Sequence, residues 1–321
     1  MGSDTIIVMA LTYNWDILGH DASLQLLEDD LQSGQVSHAY LLAGPESVGK
    51  FAAAKRMAHI LQCEGNFCGD CHVCNEIEKG YHGDTIEMAD DGETVKIEAV
   101  RKVMDRLNMS GQSPKKILLM QNIERMTLES SNALLKTLED PTGETVFLLT
   151  TSNVKDVIQT ILSRVRMVKF GRLADEIVVE LMRKMHPLIE EDMVAAVAEM
   201  ALGRPGKALE LLDDREMFER YRTMYEDAEQ FLRAPDRTRQ FLYVEELTKA
   251  AKEGGNGLLK EFLDVFQVVL RRELLVNAEG KRGILGRDKI LQLLDKVMEA
   301  QYLLQRNVNA RLLLENMMLT L

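Results

Sequence analysis

The sequence predicts an α/β fold: a parallel-sheet domain followed by helices alone. Three observations carry this. Up to about residue 170, short apolar runs alternate with amphipathic segments, the pattern of strand–helix crossovers that builds a parallel sheet covered on both faces. The first apolar run leads directly into Gly44, Gly49 and Lys50, the spacing of a phosphate-binding loop between a strand and a helix. Beyond Gly171 no further strand pattern occurs and the helical segments lengthen.

Trp15, Ile17 and Leu18 are apolar enough to pack an entry segment onto this domain, and Ala22–Ser33 has helical periodicity. Ala39–Ala43 reads as a buried strand, with a helix from Lys50 to about Gln62. A cysteine-bearing insertion follows. Asp84–Met88, Lys116–Met120, Val146–Thr151 and Met167–Phe170 read as strands. Ile97–Leu107 and Ser130–Leu138 read as helices, the second stopped ahead of Pro141. Ala174–Met185, Glu190–Ala201 and Lys207–Leu212 form three short amphipathic helices with a GRPG break at Gly203–Gly206. Longer helices are expected over Arg215–Arg233, Asp236–Lys252, Gly257–Val276, Arg287–Leu304 and Asn309–Leu321, with glycine-rich loops at Glu253–Gly257 and Gly280–Gly286. The expected domains are thus residues 10–171, with the cysteine module at 63–74, then 172–213 and 214–321.

Composition narrows the function classes. With 46% hydrophobic and 28% charged residues the chain is an ordinary globular one. No apolar run reaches the length of about 18 residues that a membrane helix needs, and the N-terminus lacks the basic and apolar regions of a signal peptide. Met9 would serve as a start, which makes residues 1–8 an expected added remnant. A net charge of −12 argues against broad non-specific nucleic-acid binding.

The loop itself departs from a working one. In G-x-x-x-x-G-K-[ST] the last hydroxyl holds Mg²⁺; here that position is Phe51. An acidic pair should end the Lys116–Met120 strand to hold the metal and orient water, but Gln121 and Asn122 stand there. Glu124, two residues on, is expected to face elsewhere. The geometry of a phosphate loop is therefore expected without its metal chemistry. Lys50 remains able to hold a phosphate or sulfate.

Cys63, Cys68, Cys71 and Cys74 are the only cysteines, with four, two and two residues between them. Thiolates at such spacing chelate one ion from a tight turn that Gly65 and Gly69 permit, and four soft ligands with no open position mean structural rather than catalytic zinc. Buried free cysteines would not cluster so, and disulfides between such near neighbours constrain little. His72 is the one alternative ligand within the cluster. Cysteines used this way imply a reducing cytoplasm.

NALLKTLEDP (Asn132–Pro141), TTSN (Thr150–Asn153) and TILSRV (Thr160–Val165) resemble the clamp-loader branch of the AAA+ ATPases. The cysteine insertion and the C-terminal NARLLLENMMLTL are similar to segments of the bacterial members, so the match runs from about Trp15 to Leu321. Within the family the chain most resembles the delta-prime type of the DNA polymerase III clamp loader. The resemblance implies a Rossmann-like AAA+ domain, a helical lid and a helical oligomerisation collar. It places Ser163 and Arg164 in the Ser-Arg-Cys motif, whose arginine reaches into a neighbour's ATP site; Val165 replaces the cysteine. It sets Thr151 near the sensor-1 position and Gly206, beside Arg204, where active subunits carry a nucleotide-sensing arginine. Implied partners are gamma/tau ATPase subunits and a delta subunit, with the sliding clamp and primed DNA reached through the complex. ATP and Mg²⁺ are not expected as cofactors.

Arg164 also has a physical case: a planar fork of donors suits a γ-phosphate oxygen. A surface arginine paired with a carboxylate is the plainer alternative. The apolar faces at Leu258, Leu259, Phe262, Leu263 and Phe266, and at Leu312, Leu313, Leu314, Met317 and Met318, are bundle core for the most part, a minority being shared with other subunits. The rival readings are an active gamma/tau-type ATPase, which lacks metal ligands on two elements here, an AAA+ scaffold of a non-replicative assembly, and a nucleic-acid-binding zinc protein, which the acidic balance opposes.

Overall fold

The computed structural model describes residues 11–109, 111, 113, 115–141, 143–254, 256–281, 283–304 and 308–321. The expected start at Met9 lies outside the described residues. The chain forms two compact units, one reaching Pro187 and including Gly203–Lys207, the other made of Leu188–Leu202 and Ala208–Leu321.

In the first unit, α1 (Asp21–Ser33) precedes β1 (Ala39–Ala43), and the phosphate-type loop leads to α2 (Lys50–Gln62). A short α3 (His72–Glu78) follows the first three cysteines, then β2 (Thr85–Met88), α4 (Ile97–Asn108), β3 (Lys116–Met120), α5 (Leu128–Glu139), β4 (Thr145–Thr151), α6 (Gln159–Leu162), β5 (Arg166–Lys169) and α7 (Asp175–Met185). The five strands are all parallel, in the order β2-β3-β4-β1-β5. The expected strands and their helices are present, most shifted by one or two residues at their ends. The sequence reading missed α3 and α6, which are too short to show a period.

Strands β1 and β4 are buried along their whole length, as expected of a parallel sheet with both faces covered. Alternate residues point to opposite faces. Tyr40 and Leu42 join Leu24, Leu27, Ala53 and Met57 of α1 and α2. Ala39 and Leu41 join Val100, Met104, Leu134 and Ile161 of α4, α5 and α6. Trp15 is 2% exposed and packs in the α1/α2 layer. Its indole Nε1 donates to the buried Glu28 carboxylate at 3.0 Å, which also accepts from the backbone of Thr12 and Tyr13.

The second unit is helical: α8 (Glu191–Ala201), the later part of α9 (Pro205–Asp213), α10 (Arg215–Arg233), α11 (Arg237–Gly254), α12 (Gly257–Ala278), α13 (Arg287–Leu304) and α14 (Ala310–Met318). Asp214 and Asn309 cap α10 and α14 with side-chain oxygens. Leu259, Phe262, Leu263, Phe266, Leu314, Met317 and Met318 are core, whereas Leu312 is exposed. Among the described residues no helix is long and apolar enough to cross a membrane.

The tightest approach in the sheet unit is at Gly44. A Cβ there would sit 1.9 Å from the Phe170 carbonyl oxygen. Gly44→Ala is therefore expected to destabilise the protein by about 3 kcal/mol or more. Gly171→Ala, where the added methyl meets open space, should stay within about 0.5 kcal/mol. Chemical denaturation of the two variants decides; equal midpoints would show that the loop can move off Phe170.

Candidate functional site

The loop from Gly44 to Lys50 is shaped by its backbone and held by two side chains. Ser47 and Gly49 take positive φ, 58° and 103°, which turns successive peptide units inward as anion-binding loops do. Gly44 donates its N–H to the Thr151 carbonyl at 3.1 Å, and the His20 ring Nε2 donates to the Val48 carbonyl at 2.8 Å. Lys50 opens α2 but folds back: its Nζ donates to the Gly44 and Pro45 carbonyls at 2.7 and 2.6 Å. The residue is 6% exposed. Burial pushes its pKa down to about 8, against the opposing pull of Glu124 and Glu46.

One further contact closes the loop. The Gly206 N–H donates to the Ser47 carbonyl at 2.8 Å. A Cβ on Gly206 would lie 3.0 Å from that oxygen and 3.1 Å from Ser47 Cβ, so an arginine there would have to displace the loop. Arg204 and Lys207 beside it are buried. Phe51, in the place of the Mg²⁺-binding hydroxyl, packs against the α1/α2 core instead.

At the end of β3, Gln121 and Asn122 serve the chain rather than a metal. Gln121 Oε1 accepts from the Asp90 N–H at 3.2 Å, and the Asn122 side-chain amide donates to the Asp90 carboxylate. The Asn122 N–H donates to Thr150 Oγ1 at 3.1 Å. Glu124 corrects the sequence reading. It does not face away: one carboxylate oxygen accepts from the Ser152 N–H at 2.8 Å and from the Ser152 hydroxyl, and its charge acts on Lys50. The 3-10 turn Ile123–Arg125 brings it back to the β4 end, and no periodicity signals so short a turn. Thr151 is fully buried, with Oγ1 accepting from the Asn153 N–H at 3.2 Å.

The four cysteine sulfurs lie within 4.8 Å of one another. Cys63 Sγ is 3.7 Å from Cys68 Sγ and 3.8 Å from Cys71 Sγ, matching the roughly 3.8 Å sulfur–sulfur edge of a tetrahedron with Zn–S bonds of about 2.3 Å. Asn66, Phe67 and Gly69 take positive φ and turn the chain back; Gly65, expected to permit the fold-back, does not. Burial raises the Cys63 thiol, but N–H groups of Cys68, Gly65 and Phe67 outweigh it and bring it down to about 6. Cys71 Sγ accepts from the Cys74 N–H at 3.4 Å. His72 points outward with its side chain 85% exposed, toward Glu76, and has no place among the sulfurs. The set is compatible with structural zinc.

Arg164 follows α6, on the β4–β5 connection. Its Nη2 lies 2.6 Å from Glu139 Oε1. Its Nη1 donates to the Thr160 carbonyl at 2.9 Å and to Ser163 Oγ at 3.1 Å. The side chain is 37% exposed.

A family model described as DNA polymerase III, delta subunit, matches residues 19–174. The gamma subunit of Buchnera aphidicola from Acyrthosiphon pisum is 32% identical over 212 residues, 63% of this chain and 58% of that protein. The tau subunit of Bacillus subtilis is 28% identical over 299 residues, 86% and 52%. The delta′ subunit of Bacillus subtilis is 28% identical over 194 residues, 59% and 57%. Over these stretches the chain is similar to DNA polymerase III subunits. The chain spans little more than half the length of these relatives, and they include gamma, tau and delta′ types alike.

The site residues fall into three groups on separate elements. Gly44, Gly49 and Lys50 come together with Gly206 and Glu124 at the ends of β1, β3 and β4. The cysteines gather between α2 and α3, and Ser163 and Arg164 stand apart at α6. Sequence reasoning missed Glu139 as the partner of Arg164; its place inside the NALLKTLEDP motif was the one available signal.

Two outcomes are expected. Protein purified without chelator should carry one zinc per chain, and Cys63→Ser or Cys74→Ser should lower both metal content and melting temperature; metal-free protein of unchanged stability would sink the zinc assignment. Lys50 loses its proton near pH 8 when folded and near 10.4 when unfolded. Between these values the unfolded chain binds more protons, so stability rises with pH, by about 1.4 kcal/mol per unit at most. The difference in unfolding free energy between wild type and Lys50→Met, followed from pH 7.5 to 9.5, should grow in favour of wild type. A flat difference would mean Lys50 is solvated.

Proposed function

We propose that this chain is a non-hydrolysing clamp-loader subunit of the delta-prime type. It assembles in the cytoplasm with gamma/tau ATPase subunits and a delta subunit, and helps open a sliding clamp and place it on primed DNA. The single observation that carries this reading is the closed loop: Lys50 donates to Gly44 and Pro45 and the Gly206 backbone sits on Ser47. Phe51, Gln121 and Asn122 deepen it, since none offers a carboxylate or hydroxyl to Mg²⁺ and each is engaged with its own domain. The division into an AAA+ domain, lid and collar (residues 10–171, 172–213 and 214–321) belongs to the same proposal.

Its direct chemistry is Arg164, offered in trans to a neighbour's nucleotide. What supports this is an exposed guanidinium at the end of a short helix, anchored by Ser163, with donors to spare. A planar cation so placed can neutralise charge developing on a transferring phosphoryl group, an effect of about 10³–10⁵ in rate where such arginines act.

The gamma and tau relatives favour a second reading, an active ATPase. Equilibrium binding of Mg·ATP to the purified chain, with hydrolysis followed in the same sample, separates the two. The proposal expects no turnover and no Mg²⁺-dependent binding at millimolar nucleotide; tight Mg²⁺-dependent binding with turnover places the chain with the motors. In the reconstituted complex, Arg164→Ala should leave the subunit folded and lower DNA-stimulated ATP turnover at least about tenfold. Unchanged turnover would remove Arg164 from the chemistry.

A further inference from the structure

Glu139 is the last residue of α5, where the exposed carbonyls already present negative charge and a carboxylate is poorly placed. It gains most from a cation, and the one it takes is Arg164, Nη2 to Oε1 at 2.6 Å. The Thr160 carbonyl and Ser163 hydroxyl hold Nη1. Three of the five guanidinium donors are thus satisfied by the chain's own atoms, two by neutral groups on the arginine's own short helix and one by a charge from another helix. The neutral anchors orient the fork and carry no charge that repels a phosphate. The Glu139 carboxylate differs: a γ-phosphate that bonds the same guanidinium would lie beside a like charge, which costs energy.

We propose that Glu139 is a positioning residue that latches Arg164 onto its own domain and is exchanged for a neighbour's phosphate when the arginine acts. This rests on the reading of Arg164 as an arginine offered in trans. Glu139 and Arg164 are partly exposed, 53% and 37%, so the latch is weak, and a phosphate carrying more charge than a carboxylate displaces it. A buried pair of the same geometry would hold the arginine too firmly to release it. Glu139 therefore sets how much of the time Arg164 is available without preventing its use.

The test uses the complete chain carrying Glu139→Gln, alone and reconstituted with its ATPase subunits, ATP and primed DNA. In the isolated chain, the Arg164 side-chain NMR signals of wild type should show hindered rotation that Glu139→Gln releases and Glu139→Asp partly restores. In the complex, Glu139→Gln should raise kcat and kcat/KM together, by up to about fivefold, with KM for ATP unchanged, the signature of an interaction that matters only in the transition state. The gain should shrink toward one as NaCl screens the exposed pair, and it should vanish in the Arg164→Ala background. A loss of turnover in Glu139→Gln, or no change, overturns the latch while Arg164→Ala still reports whether the arginine acts in trans. If Arg164→Ala is itself silent, the trans reading fails and the latch with it.

Discussion

The close approach of Gly44 to Phe170 is the constraint on which the rest of the sheet unit depends. Strand β1 lies between β4 and β5, so the chain leaving β1 passes between two strand ends. Its N–H is taken by Thr151 at the end of β4, and its α-carbon faces the Phe170 carbonyl just beyond β5 with no room for a Cβ. The loop is therefore fixed by the sheet and not by a ligand. Positive φ at Ser47 and Gly49 then follows as the way to reach the first turn of α2. A loop held in this manner keeps the shape of a phosphate cradle whether or not anything occupies it, which is why the glycine spacing alone says little about turnover.

What decides turnover is where charge is placed around that cradle, and here the polar groups are engaged by the protein's own atoms except Glu124 Oε2, which is buried without a hydrogen-bond partner. Lys50 is desolvated against two carbonyls, with Glu124 near enough to oppose the loss of its proton. Glu124 is in turn held by Ser152 at the end of β4. Gln121 and Asn122 tie the β3 end to the Asp90 loop. A divalent ion entering this arrangement would find Glu124 bound through one oxygen to Ser152, Asp90 bound to Asn122, and amides at positions 121 and 122 where it needs anions. The same hydrogen bonds join the ends of β3 and β4 to each other and to the Asp90 loop.

Much of this was legible in the sequence, and the boundary of legibility is physical. The strands were readable because buried parallel strands are continuous apolar runs, and the cysteine cluster because metal ligands need fixed local spacing. The departures at Phe51, Gln121, Asn122 and Gly206 were readable because a motif fixes residue type position by position. The direction of Glu124 was not, because a three-residue 3-10 turn redirects it without any periodic trace. Nor was the left-handed backbone of Asn66 and Phe67, neither of which is a glycine. The Glu139–Arg164 pair joins residues 25 apart in sequence, one ending α5 and the other just after α6, and such pairs are set by packing, which spacing does not record.

Under the proposed function, the separation of the sites lets one chain lack a motor's chemistry and still serve a motor. The phosphate loop depends on β1 and α2; Arg164 depends on α5, α6 and the turn into β5. Among the described residues no hydrogen bond or ion pair of Arg164 involves the loop, so filling the loop with Lys50 and Gly206 leaves the arginine's anchors untouched. The anchors also have the hierarchy that the proposed latch requires, in which the arginine is both held and given up. Two neutral oxygens from its own helix and its immediate neighbour set the direction of the fork at little electrostatic cost, and one exposed carboxylate supplies a hold that a more strongly charged oxygen can replace. Rigidity at the closed loop and exchangeability at the arginine are separate solutions on one sheet, made possible because the β4–β5 connection that carries Arg164 leaves the sheet on a different helix from the one the loop begins.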